Sequence, residues 1–182
     1  MSVRSWSRAA VRMLARPAWP VLALAGLGVA SAGAVEPHEF SRPCRQEDLI
    51  GVWRVLRLGV PPGSPIDRSD PAFLPHQRYV FHSNATMAHV TQEVPFSAEA
   101  QRGLDKLPAS DTWTLESEGR LVRQREGVAA VEHVDCRVLT RAVKDPKTSQ
   151  LTAQAGDVLL TDRSVDERTA TRRLLRRIGR AR

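Results

Sequence analysis

Residues 48–63 read DLIGVWRVLRLGVPPG: an apolar run with β-branched residues, with Gly51 two positions before Trp53, halted by Pro61 and Pro62. β-Branched and aromatic side chains suit a pleated surface, whereas consecutive prolines cannot continue a ladder. Residues 49–58 are therefore predicted as a first strand. Within it, Trp53 either plugs one end of a closed sheet or floors a site. The following stretch, GVPPGSPIDRSDPAFLP, holds five prolines between Pro61 and Pro75 and reads as a long irregular loop or lid.

Downstream, strand signals recur at short intervals. QRYVF and TMAHVTQ flank HSNA, a hairpin turn in which Asn84 is the residue that tolerates positive φ. FSAEAQRGLDKL has helical composition, with Ser97 as N-cap and Leu104 and Leu107 one turn apart, and reads as a short connector. DTWTLES, GRLVRQR and VAAVEHVDCRVLTR then form a meander punctuated by Glu118-Gly119 and Glu126-Gly127. GDVLLTD supplies a seventh strand and RTATRRLLRRI an eighth; LTAQAG is left unassigned. The fold class expected is all-β, an antiparallel up-and-down barrel of about eight strands with one short connecting helix, because closure removes the exposed edges of an open sheet. The last segment is also legible as a helix with Leu174, Leu175 and Ile178 in a stripe among arginines. As the favoured strand, it brings an arginine over the Trp53 ring.

Upstream, Arg4, Arg8, Arg12 and Arg16 precede an apolar stretch from Ala18 to Ala30, followed by ASAGA. This is the pattern of an export signal cleaved after Ala34, or in a second frame after Ala32, and it places the mature protein in the periplasm or outside the cell. The apolar stretch is shorter than the ~20 residues of a membrane span and has Pro17 just before it and Pro20 near its start, so no transmembrane span is expected after signal removal. The organisation expected is residues 1–34 as signal, 35–48 as lead-in, 49–178 as barrel and 179–182 as a basic end.

The formal net charge of +7 is unevenly spread. Residues 1–34 hold four of the 27 basic residues and none of the 20 acidic ones, and residues 168–182 hold seven arginines and no acid. The body between is net acidic, which argues against a nucleic-acid partner. The C-terminal arginines are instead candidates for contact with an anionic envelope surface. Cys44 and Cys136, the two cysteines of the chain, both lie in the exported part, where an oxidising compartment lets them pair. A disulfide is predicted.

Taken together, LIGVWRV, QRYVFHSNATM, TWTLESEGRLVRQR and GDVLLT resemble the bacterial exported lipocalin-like proteins of the calycin superfamily, over roughly residues 49–178. The resemblance implies an eight-stranded up-and-down barrel open at one end, holding a small apolar ligand without catalysis. In place of the superfamily's Thr-Asp-Tyr turn motif stands Thr161-Asp162-Arg163, close to the C-terminus.

Strand alternation nominates an interior. Trp53 and Val55, Tyr79 and Phe81, Met87 and His89, and Trp113 and Leu115 are the candidate ligand-cavity residues, pair by pair along the first four strands, with core packing as their first duty. Met87 and His89 share a face near His76 and His82, a set that would suit copper. The five histidines are scattered, however, and no metal site is expected. Nucleophile-elbow, zinc-protease, phosphate-loop and dinucleotide motifs are missing, so no catalytic residue and no cofactor is nominated. The reading is a periplasmic or secreted barrel binding a small, partly apolar molecule. Its rival is a filled barrel that acts as an envelope interaction module through the proline-rich loop and basic tail; a lipocalin-fold enzyme ranks third.

Overall fold

Period-two alternation runs through most of the chain, and the computed structural model shows where it leads. Residues 37–60, 67, 69–144, 151–163 and 170–181 are described. The chain separates into two units, residues 1–34 and 35–182, and every described residue belongs to the second. The expected signal and the loop residues 61–66 and 68 lie outside the described residues.

The chain enters through a short strand β1 (Ser41–Pro43) and one turn of helix α1 (Gln46–Leu49). There follow β2 (Gly51–Gly59), β3 (His76–Phe81), β4 (Thr86–Gln92), helix α2 (Ala98–Arg102), β5 (Asp111–Leu115), β6 (Arg120–Arg125) and β7 (Val131–Leu139). A two-stranded side hairpin, β8 (Val143–Lys144) with β9 (Leu151–Ala153), interrupts the path before β10 (Val158–Arg163) and β11 (Ala170–Gly179). Among the described residues, eight strands close into an antiparallel barrel in the order β2-β3-β4-β5-β6-β7-β10-β11, with β11 paired back onto β2. β6 pairs with the first half of β7, and β1 takes its last three residues.

The basic tail is thus the closing strand. Its adjacent leucines fall on opposite faces, Leu175 completely buried and Leu174 half-buried, and opposite them β2 carries the irregularity, with Leu174 paired to Arg57 and Leu175 to Val55. The inward residues form one core of Leu49, Trp53, Tyr79, Phe81, Met87, Trp113, Leu121 and their neighbours. Outside the barrel a second cluster, Val52, Val80, Ala88, Phe96 and Leu104, is covered by α2 and the turn that follows it. Ser97 caps α2 as expected, its side chain accepting from Ala100 N–H.

The disulfide forms between Cys44 and Cys136 with the Cα atoms 5.4 Å apart, tying the lead-in to β7. Glu118 and Gly119, at φ 60° and 78°, make the β5–β6 turn, as their spacing predicts. One turn differs from expectation: in HSNA the positive φ falls on Ala85 (64°), not on Asn84. Asn84 uses its side chain instead, accepting from Thr86 N–H at 3.2 Å and Thr86 Oγ1 at 2.7 Å, and this leaves the strained position to its neighbour. Among the described residues no helix is long and apolar enough to cross a membrane.

Candidate functional site

Barrel register decides which inward residues sit at which end. At one end, α1 brings Leu49 beneath Trp53, whose indole N–H donates to the Leu49 carbonyl at 2.6 Å. Arg177 of the closing strand lies over the other side of the ring, 4.8 Å from its centroid, and donates to the Asp48 carbonyl at 2.6 Å. Gly51 makes room for it: a Cβ there, at φ 149°, would stand 3.0 Å from the Gly179 carbonyl and 3.3 Å from Arg177 Nε. This end is closed.

Above it the interior is filled. Phe81 meets Trp113 edge to face at 5.5 Å, and Trp113 N–H donates to the Thr86 carbonyl at 3.0 Å, so both indoles among the described residues, Trp53 and Trp113, are spent on the fold. Of the eight nominated residues, Trp53, Phe81, Met87 and Trp113 are wholly buried in this packing, with Val55 and Leu115 partly buried against it. The remaining two, Tyr79 and His89, stack face to face at 4.1 Å, and both line a cavity.

That cavity, about 320 Å³, occupies the opposite end of the barrel. It is at the small end of the ~300–1,000 Å³ typical of ligand pockets. Around Tyr79 and His89 stand Thr91 of β4, Arg123 and Arg125 of β6, Glu132 of β7, Asp162 of β10 and Arg173 of β11. Asp70, Pro71 and Ala72, from the end of the proline-rich loop, border it as well. Their turn is tied down: the Gln77 amide donates to the Ala72 and Leu74 carbonyls, each at 2.9 Å, and Arg173 Nη2 donates to Ala72 O at 3.3 Å. The described end of the proline-rich loop therefore stands at the mouth of this cavity.

Those bonds also fix a proton. Because the Gln77 nitrogen faces two carbonyls, its oxygen faces His89 Nε2, 3.2 Å away, so Nε2 carries the hydrogen and Nδ1 keeps a lone pair. Burial, and then the charges of Arg123, Arg173 and Arg125, push His89 down to about 3, and the ring is neutral. Burial raises Tyr79 against the opposing pull of Arg173 and Arg123, keeping the phenol protonated. Arg123 pairs with Glu132, and Arg173 Nη1 stands 3.9 Å from Asp162. Asp162 is raised, first by burial, in spite of the arginines.

The charged members of this group are absent from the sequence-based nomination. Alternation contains the signal: Arg123 and Arg125 share a face with buried Leu121, Glu132 with Cys136, Asp162 with Leu160, and Arg173 with Leu175. Arginines and acids on a strand pass for solvent-facing residues until the register shows which end of the barrel they occupy. The Thr161-Asp162-Arg163 stretch lies within β10, and Asp162 faces the cavity. Met87 and His89 are separated by their surroundings, one in the apolar core and the other bonded to Gln77. Among the described residues no three histidine, cysteine or carboxylate side chains gather as a metal site. A larger hollow of about 520 Å³ lies along Thr86, Ser110, Thr112, Gln124 and Glu126, residues that alternate with the inward ones and so face outward. Comparison of the chain with protein-family models, curated proteins and solved structures gives no match.

Proposed function

We propose that this is an exported binding protein of lipocalin type, which holds a small molecule in the mouth of its barrel and does not transform it. The observation that carries the reading is the cavity: a closed, filled base beneath a small polar chamber, walled on one side by the Tyr79–His89 stack and bordered by the tethered turn at Pro71. The stack offers the ligand its apolar surface, so the partly apolar molecule expected of such a barrel meets Tyr79 and His89 rather than the other nominated residues. A non-catalytic role is supported by the titration of the site. Acid–base catalysis favours a group that titrates near the working pH, and neither a His89 held near 3 nor a raised Tyr79 does so. Export is supported by the leader pattern and by the disulfide, which an oxidising compartment maintains.

Native mass spectrometry of the protein isolated from the compartment that holds it tests the reading. The expected result is a reproducible non-covalent adduct of low mass. A bare protein mass throughout would instead favour the second reading, an envelope interaction module using the proline-rich loop and the terminal arginines. The packed base around Trp53, Phe81 and Trp113 is the observation that keeps this rival in play. Under it, crosslinking captures an envelope partner through residues 60–75 or 176–182.

A further inference from the structure

The neighbouring strands β3, β2 and β11 contain no acidic residue, and the outward positions they share are basic. Residues opposite one another on antiparallel strands lie on the same face. The register sets Arg54 of β2 opposite Arg78 of β3 on one side and opposite Arg176 of β11 on the other. Trp53 and Tyr79, the adjoining pair, point into the core, so this row of three points outward. Strands stand about 4.8 Å apart, and like charges directly opposite destabilise a sheet. Arg176 is offset by Asp157, but Arg78, buried over the Phe96 ring, has no carboxylate partner among the described residues. Burial, and then the charge of Arg54, lower Arg78 from its ordinary value. Arg54 itself is exposed and makes no hydrogen bond or ion pair among the described residues. Further along the face Arg57 stands opposite Leu174 and Arg172 opposite Gly59, both arginines exposed and equally without partners. A Cβ on Gly59 would lie 3.9 Å from that of Arg172. Beside them Leu174 of β11 faces Leu159 of β10, each half-buried. A face of this kind is stabilised by whatever brings negative charge to it.

We infer that the outer face of β2 and β11 docks on an anionic lipid membrane surface through Arg54, Arg57 and Arg172. This stands apart from the ligand reading, since the face lies outside the barrel wall and the cavity within its mouth. It also uses neither the proline-rich loop nor the last residues of the chain. Two features favour lipid over a discrete anion or an acidic protein. No hydrogen bond among the described residues fixes these three guanidinium groups, so they meet charge without the preset fork that selects one anion. They are also spread along two strands on the convex outside of the barrel, whereas a protein partner draws its affinity from anchors seated in pockets. A layer of lipid head groups offers negative charge at many positions at once. The arginine stems and the Leu174–Leu159 pair can then rest against its outermost apolar layer while the guanidinium groups stay among the phosphates.

The test is co-sedimentation of the full mature protein with phosphatidylcholine vesicles, with and without about 30% phosphatidylglycerol. The expected result is binding to the anionic vesicles alone. Raising the salt from about 0.1 M to about 1 M, which shortens the screening length from about 10 Å to about 3 Å, should release the protein. A variant carrying Arg54→Gln, Arg57→Gln and Arg172→Gln is compared with one carrying Lys106→Gln, Arg120→Gln and Lys144→Gln, exposed cations on other elements. Both lose the same net charge. The first is expected to bind anionic vesicles at least about tenfold more weakly than the parent, and the second within about twofold of it. Relief of the Arg54–Arg78 opposition is expected to leave the first variant at least as stable as the parent in thermal melting. Equal loss in the two variants would mean that net charge, not this face, attracts the membrane, and refutes the assignment. Equal binding to neutral vesicles refutes it as well. So does failure of the parent to sediment with either vesicle, and crosslinking of an acidic protein through Arg54 or Arg172 peptides would then identify the face as a protein interface instead.

Discussion

His89 shows how one buried side chain ties the stability of the protein to pH. In the unfolded chain it titrates near 6.5, whereas burial and three arginines hold the folded ring near 3. Between these values the unfolded state takes up a proton that the folded state refuses. Stability from this source is therefore complete above the unfolded value and is lost as pH falls toward the folded one. At about pH 5 the loss amounts to about 2 kcal/mol. His89→Gln removes the titration, so its melting temperature is expected to fall less than that of the parent between about pH 7 and pH 5. Parallel pH profiles for the two proteins would refute this. Trp53 was legible at the same scale, since a tryptophan two positions beyond a glycine at a strand's start has a closed end to fill. Ala85 was not, because the choice between Asn84 and its neighbour turned on a side-chain hydrogen bond to Thr86.

At the scale of elements, the β5–β6 hairpin and the disulfide are one unit. Gly119 stands at φ 78°, and a Cβ there would lie 2.4 Å from the Cys136 carbonyl and 3.0 Å from Cys44 N. Both neighbours are backbone atoms that a disulfide holds in place, so neither yields easily. Gly119→Ala is expected to cost about 1–3 kcal/mol or more, read as a lowered denaturant midpoint. Gly127, also at positive φ, has nothing within 4 Å of the same added atom, and Gly127→Ala is expected to cost less than Gly119→Ala. Equal losses at the two glycines would mean that the backbone contact at Gly119 contributes nothing. Most elements could be read from local pattern: alternation marked the eight strands, and glycine pairs marked the turns. The short β1 and the β8–β9 hairpin could not, since segments of two or three residues leave too little period to detect. The site escaped for a different reason. Whether Arg123 faces water or a chamber depends on how far each strand is staggered against the next around the whole barrel, which no single strand encodes.

For the molecule as a whole, the Cys44–Cys136 bond closes a loop with a sequence separation of 92, spanning most of the barrel. On the chain-entropy account such a loop contributes about 4–5 kcal/mol, and replacing both cysteines with serine is expected to cost about 2–5 kcal/mol in denaturant unfolding. A midpoint unchanged by the replacement would show that the cross-link constrains nothing in the unfolded chain. Charge is distributed with similar economy. The arginines of the last strand are divided among separate duties: Arg173 in the mouth, Arg177 over Trp53, and Arg176 clamped on buried Asp157 at 2.7 and 2.9 Å. Overall positive charge is thus a poor guide to partners here, because these guanidinium groups already have partners within the fold.

The seam between β2 and β11 also bears on the order of events during synthesis. The strand that opens the barrel begins at Gly51 and the strand that seals it ends at Gly179, so the two halves of the joint leave the ribosome more than a hundred residues apart. Until the second half emerges, β2 has a raw edge, Trp53 lacks its arginine cover and the chamber lacks a wall. A nascent chain in that condition stays unclosed until its last strand has been made.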